Sequence, residues 1–215
     1  MKTQRDLIIF DLDGTLIDSS TDIAWCANEV LEYLGYERRG VEEIKKDIGW
    51  GVKPLLERLV PNEPEERISD ARLKFLEIYD SHLVVDSFLY PGVIQTLEHF
   101  KGVGKKLAVV TNKPIGLSEK ILKIFELDGF FMSVVGGDSF QRRKPHPEPI
   151  NAVVQSAQVA PERAVMIGDS PVDCEAGKAA GLYTVGVTYG FRDRSELSLC
   201  DVLIDDMTSL MDVIC

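Results

Sequence analysis

The first unbroken apolar run, Leu7-Ile8-Ile9-Phe10, is short, β-prone and bounded by polar residues. A run apolar at every position predicts a strand buried on both faces, as in a parallel sheet. The rhythm then becomes helical. Ile23, Ala27, Val30, Leu31 and Leu34 recur on one face, Ser19 or Ser20 can cap, and Gly35 ends the run. Further stripes predict a helix over about Val41 to Ile48, another through Val52, Leu55, Leu56 and Leu59, and a long one from Pro64 through Ile68, Ala71, Phe75 and Ile78. No strand is needed between about 19 and 86.

From Tyr90-Pro91-Gly92 onwards, helix and strand alternate. Strands are predicted at Leu107–Val110, Phe130–Val135, Ala164–Ile167, Tyr183–Val187 and Asp201–Ile204. Helices fall between them: Val93 to about Lys101, Leu117 through Phe125, from Pro147 through Ala157, Val172 to Ala180, and at the C-terminus. This is the pattern of an α/β, doubly wound parallel sheet, a Rossmann-like core with an inserted α-helical block. Residues 1–17 and 88–215 are expected to form the core, and 18–87 the inserted block. Gly102-Val103-Gly104-Lys105 looks faintly like a phosphate loop, but it follows a helix and lacks the full motif, so it reads as a helix stop.

Composition narrows the function. A chain of 215 residues, 45% hydrophobic, suits one core with an insertion. The net charge of -11, from 24 basic and 35 acidic residues, argues against nucleic acid as a partner. It leaves open a small anionic substrate, because a bound cation inverts the local field. No run approaches the roughly 18 apolar residues of a membrane span. The charged N-terminus is followed by too short an apolar run for a signal segment, so a cytoplasmic protein is expected, acting as a monomer or homodimer. Cys26, Cys174, Cys200 and Cys215 are scattered without zinc spacing and read as reduced thiols. His82 and His146 have no metal spacing and read as structural.

The chemistry gathers at predicted carboxyl ends of strands, where open α/β sheets place ligands. Asp11-Leu12-Asp13-Gly14-Thr15 follows the first strand. One of its acids can attack as a nucleophile while the other handles protons, and Gly14 permits a sharp turn with its N–H close to an anion. Thr111-Asn112 follows the second core strand, Lys144 lies in a later loop, and Asp169 and Asp173 follow the fourth. Singly, these could be helix caps or solvated charges. Together they fit phosphoryl transfer, which needs in-line attack, charge neutralisation and donors to the equatorial oxygens. Asp11 supplies the nucleophile, Thr111 and Asn112 the donors, and Lys144 the fixed charge. Asp11 and Asp169 make an oxygen-only site suited to Mg²⁺.

The order and spacing of these four clusters resemble the haloacid dehalogenase superfamily over essentially the whole chain. The first motif is Asp11-Leu12-Asp13-Gly14-Thr15-Leu16, the second Thr111, the third Lys144, and the fourth Gly168-Asp169-Ser170-Pro171-Val172-Asp173. The resemblance implies that Asp11 becomes an aspartyl-phosphate, and that Asp13 protonates the leaving oxygen and then activates water. It implies that Asp169 and the backbone carbonyl of Asp13 bind Mg²⁺ with Asp11, and that Asp173 supports the metal site. The inserted block is similar to the family's small α-helical cap. An acid at Asp13 points to phosphate esters rather than halides.

Among capped members, the stretches Gly49-Trp50-Gly51-Val52-Lys53 and Ala176 to Gly181, continuing to Gly186-Val187-Thr188-Tyr189-Gly190-Phe191, resemble the phosphoglycolate phosphatases. The implied partner is a small phosphorylated metabolite, with 2-phosphoglycolate foremost. Phosphosugar mutases, pyrophosphatases and nucleotidases share much of the second stretch. The intact acids and Lys144 weigh against a non-enzymatic binding protein. Gly49-Trp50-Gly51 reads either as a substrate-facing loop or as a helix break with Trp50 packed on a neighbour.

Overall fold

In a computed structural model of the chain, the structure describes residues 4–214. Its strands are, in chain order, β1 (Leu7–Phe10), β2 (Ile17–Asp18), β3 (Phe88–Leu89), β4 (Lys106–Val110), β5 (Ser133–Val135), β6 (Ala164–Gly168), β7 (Tyr183–Val187) and β8 (Val202–Ile204). Six of them form one parallel sheet in the order β5-β4-β1-β6-β7-β8. The doubly wound α/β fold read from the alternation is therefore the observed one. Strand β1 lies at the centre because it is buried throughout and pairs on both sides. Leu7 is opposite Lys106 in β4 and Ala164 in β6, and Phe10 is opposite Val109 and Ile167. Alternate side chains serve opposite faces. Ile8 and Phe10 join one apolar cluster, while Leu7 and Ile9 join another under the helices of the far face.

Four helices separate β2 from β3: α1 (Ser20–Leu34), α2 (Val41–Lys45), α3 (Val52–Leu59) and α4 (Glu65–Ser81). Their inward residues, among them Leu31, Leu56 and Phe75, are continuous with the apolar cluster on the Ile8 face of the sheet. At the return crossing the buried carboxylate of Asp22 accepts from the backbone N–H groups of Val85 at 3.0 Å and Ser87 at 2.9 Å. This carboxylate thus satisfies backbone donors that no regular element takes up. His82 lies beside it, 3.4 Å away, and stacks on Trp25.

The remaining α-helices are α5 (Val93–Gly102), α6 (Ile115–Ile124), α7 (Glu148–Ala157), α8 (Pro171–Ala179) and α9 (Leu210–Val213).

Several expectations change. Strands β2 and β3 pair antiparallel, Ile17 opposite Leu89, and are too short to leave a pattern in sequence. The predicted strand from Phe130 is confined to Ser133–Val135, because this edge strand pairs only with Ala108–Val110 of β4, and Asp128–Phe130 is instead a 3₁₀ turn. Ser19 occupies the N-cap of α1 without capping it, since its hydroxyl donates to Asp13 Oδ1 at 2.6 Å. The cysteines are not all reduced thiols. Cys174 on α8 and Cys200 in the loop before β8 form a disulfide, brought within 5.2 Å at Cα. The loop is held there by Asp201, which accepts from the backbone N–H of Thr184 at 2.8 Å. Cys26 is free and buried, and Cys215 lies outside the described residues.

Candidate active site

The register of the sheet brings the candidate residues together. Strands β4, β1 and β6 are neighbours, and Thr111, Asp11 and Asp169 are the first residues beyond their carboxyl ends. The ladder continues one step further: the backbone N–H of Asp11 donates to Ile167 at 2.9 Å, and that of Thr111 to Val135 at 2.9 Å. These residues are buried, as are Asp13, Asn112, Lys144 and Asp173.

Lys144 sits beneath Asp11. Its Nζ lies 3.0 Å from Asp11 Oδ1 and 2.6 Å from Asp173 Oδ1. Asp173 is the third residue of α8, and its other oxygen accepts from the N–H of Ser170 at 3.1 Å and the hydroxyl at 2.7 Å. This capping box fixes the carboxylate. Asp169 Oδ2 accepts from the N–H of Phe191 at 2.7 Å. Gly14 has φ of 81°, and a Cβ there would run into the carboxylate of Asp169. Its backbone N–H is not turned to a ligand, as expected from sequence, but donates to Ile17 at 2.8 Å, because the chain folds straight back into β2.

The acids are crowded. One oxygen from each of Asp11, Asp169 and Asp173 lies within 4.8 Å of the others. Burial pushes the Asp11 carboxyl up to about 7, and the charges of Asp173 and Asp13 add to this against Lys144. Burial likewise raises Asp169 well above its ordinary value, with Asp173 and Asp11 contributing. Burial opposes charge on Lys144, yet Asp11 and Asp173 outweigh it and hold the ammonium above its ordinary value. Three carboxylates with one ammonium in contact leave an excess of negative charge in a site of oxygen donors. Such a donor set fits a small hard divalent cation, so these residues could hold a metal.

The helical block closes over this edge. Asn112 Nδ2 donates to the carbonyl of Gly49 at 3.0 Å and to that of Lys144 at 2.9 Å, while its Oδ1 is buried and finds no partner among the described residues. Gly49 and Gly51 have φ of 104° and 95°, so the turn between α2 and α3 needs residues that tolerate the left-handed region. Both line a cavity of about 40 Å³ between block and sheet, together with Asp11, Asp13, Thr111 and Asn112. Trp50, Gly14, Lys144, Asp169 and Asp173 are not among its lining residues; the guanidinium of Arg58 covers the Trp50 ring at 4.8 Å.

Two basic residues that sequence reading passed over also belong here. Lys113 Nζ lies 2.8 and 3.0 Å from the oxygens of Asp13 and 2.6 Å from the hydroxyl of Tyr79 in α4. Its only signal in sequence is adjacency to Thr111-Asn112. Arg192 donates to the carbonyls of Lys45, at 3.0 Å, and Ile48. Backbone acceptors carry no residue signature, so nothing in the sequence announced that contact.

Residues 8–187 match the family described as haloacid dehalogenase-like hydrolase. A phosphoglycolate phosphatase of Aquifex aeolicus is 41% identical over 189 residues, covering 86% of this chain and 85% of that one. One from Colwellia psychrerythraea is 38% identical over 206 residues, covering 92% and 91%. The crystal structure of a predicted phosphoglycolate phosphatase from Haemophilus somnus superposes with a TM-score of 0.90 at 32% identity, covering 98% of each chain.

Proposed function

The chain belongs to the haloacid dehalogenase-like hydrolases and is a phosphoric monoester hydrolase; from that premise we propose that it hydrolyses 2-phosphoglycolate to glycolate and phosphate through a phosphoryl group carried on Asp11. The carrying observation is the pair of buried acids on one loop: Asp11 against the ammonium of Lys144, and Asp13 two residues on, facing the cavity. The names of the relatives from Aquifex aeolicus and Colwellia psychrerythraea support the substrate.

In this mechanism an Asp11 carboxylate oxygen attacks phosphorus, and the bond from phosphorus to the ester oxygen breaks. Asp13, protonated, gives its proton to the departing oxygen, so glycolate leaves. The Asp13 carboxylate then takes a proton from water, whose oxygen attacks phosphorus and releases Asp11. Asp13 is thereby protonated again. Lys144 holds Asp11 in place and balances part of the charge of Asp11 and Asp173. In the loop before α6, Thr111 through its hydroxyl and Asn112 through its backbone N–H, both Nδ2 hydrogens being given to Gly49 and Lys144, are the donors for the phosphoryl oxygens. Mg²⁺, held by Asp11, Asp169 and the Asp13 carbonyl with Asp173 in support, would screen the anionic phosphate from the attacking carboxylate. Each remaining role belongs to side chains of the protein itself. We propose further that residues 18–87 act as a cap over residues 1–17 and 88–215, excluding water and contacting the non-phosphate end of the substrate through Gly49 and Gly51 of the turn Gly49-Trp50-Gly51, whose indole packs on Arg58 instead.

The test is phosphate release from a panel of 2-phosphoglycolate, a hexose phosphate, pyrophosphate and a nucleoside monophosphate, with and without Mg²⁺. The highest kcat/KM on 2-phosphoglycolate, lost in Asp11→Asn, is expected. An isomerised sugar phosphate in place of free phosphate, or an Asp11→Asn enzyme of near-normal rate, would overturn the assignment.

A further inference from the structure

The cavity is lopsided in its chemistry. On the sheet side stand Asp11, Asp13, Thr111 and Asn112. The wall supplied by the helical block is apolar, built from Ile23, Val52, Leu55 and Phe75. Among the described residues that line it, the single cationic side chain is Lys113. This lysine is buried, yet it carries no phosphate-facing role in the mechanism above. Its ammonium has three N–H donors. Asp13 takes two of them, through Oδ1 at 2.8 Å and Oδ2 at 3.0 Å, and the Tyr79 hydroxyl the third at 2.6 Å, so a ligand carboxylate would engage this cation by taking over the longer of the two bonds to Asp13.

Resting on the phosphoglycolate reading, we propose that Lys113 is the specificity-determining residue that binds the carboxylate of a short phosphorylated hydroxy acid, and that Tyr79 is its positioning residue. The distances set the class. Nζ lies 2.8 Å from Asp13, the proton donor to the leaving oxygen. A leaving oxygen hydrogen-bonded to Asp13 therefore sits within about 6 Å of Nζ, two hydrogen bonds of roughly 3 Å end to end. A carboxylate one carbon from that oxygen falls within reach, whereas an acid several carbons further out meets the apolar wall. Neutral alkyl phosphates leave the ammonium with no anionic partner beyond Asp13. Tyr79 holds the ammonium from two directions. Its hydroxyl accepts at 2.6 Å, and its ring lies under Nζ at 4.5 Å from the centroid. Because Tyr79 is on α4, the carboxylate pocket is complete only when the helical block is seated on the sheet.

The experiment compares 2-phosphoglycolate with ethyl phosphate, which replaces the carboxylate by a methyl group, in the wild type, Lys113→Met, Lys113→Arg and Tyr79→Phe. Every Lys113 variant also disturbs Asp13, so the readout is the ratio of kcat/KM on the two esters within each enzyme. Lys113→Met is expected to lose about 10- to 100-fold of that ratio, the range of a charge-assisted hydrogen bond, chiefly through KM for 2-phosphoglycolate. Lys113→Arg should restore part of the ratio. Tyr79→Phe, which removes one hydroxyl and keeps the packing, should lower it several-fold in the same direction. Equal losses on both esters in Lys113→Met and Tyr79→Phe would overturn the carboxylate site while leaving the substrate assignment intact. A wild-type enzyme with no preference for 2-phosphoglycolate would overturn the assignment itself, and the site with it.

Discussion

The ammonium of Lys144 lies 3.0 Å from Asp11 and 2.6 Å from Asp173, joining the first residue beyond β1 to one in the first turn of α8. A buried cation shared by two carboxylates is costly to remove, because both acids are then left unpaired. Lys144→Met is expected to lose roughly 10² to 10³ in kcat, as when one preorganised charge donor is deleted. Metal-free, it should also lose about 3 to 5 kcal/mol of stability. Steady-state kinetics and denaturant melts check the two effects separately.

The crowded acids couple stability to pH and metal. The Asp11 carboxyl, pushed from its ordinary 3.8 to about 7 by burial first and by Asp173 next, binds its proton more tightly when folded than unfolded. Its stabilising contribution is full below 3.8 and falls as pH rises through about 7. Asp169 acts in the same direction. Without metal, the contribution of Asp11 is therefore lost between about pH 4 and pH 7. A divalent cation favours the ionised acids, so Mg²⁺ should raise the melting temperature more at pH 8 than at pH 5, and chelation should abolish turnover. Melting curves identical with and without Mg²⁺ at pH 8 would count against metal binding there.

Arg192, through the carbonyls of Lys45 and Ile48, fastens the turn after α2 to the sheet side together with Asn112. Arg192→Ala should weaken closure by about 1.5 to 3 kcal/mol, the worth of hydrogen bonds from a charged donor. All phosphate esters should suffer alike, since the guanidinium faces backbone rather than cavity. A loss confined to 2-phosphoglycolate would give Arg192 a direct part in recognition.

Trp50 stands between the glycines of that turn, with its ring against Arg58. Trp50→Ala should therefore lower kcat/KM for 2-phosphoglycolate and for a bulky aryl phosphate by similar factors. A markedly larger loss on 2-phosphoglycolate would show that the indole reaches the substrate.

What the sequence disclosed follows from how each feature is encoded. Strands β1, β4 and β6 are buried throughout or nearly so, and their apolar runs stand out. Once their parallel order is read, Asp11, Thr111 and Asp169 must share an edge. Asp173 and Lys144 follow from the loops beyond. The pairing of Lys113 with Asp13 spans a separation of 100 residues and needs the turn of each loop, which periodicity does not carry. Ser19 was legible as a polar residue before a helix, and only the fold turned its hydroxyl to Asp13. Asn112 and Arg192 reach the helical block through its carbonyls, which every residue possesses. The Cys174–Cys200 disulfide joins a helix to a distant loop at a spacing that matches no motif.

In the proposed mechanism every turnover passes a phosphoryl group through Asp11. Asp13→Asn should slow turnover by about 10² to 10⁴ through lost proton transfer, which leaves time to look. The most direct measurement is acid quench of the wild type and Asp13→Asn during turnover of 2-phosphoglycolate, followed by mass spectrometry of the protein and its peptides. The prediction is one phosphoryl group on the peptide bearing Asp11, formed before free phosphate and absent from Asp11→Asn. Phosphate released with no labelled protein at any time in either enzyme, or a label on another residue, would contradict it.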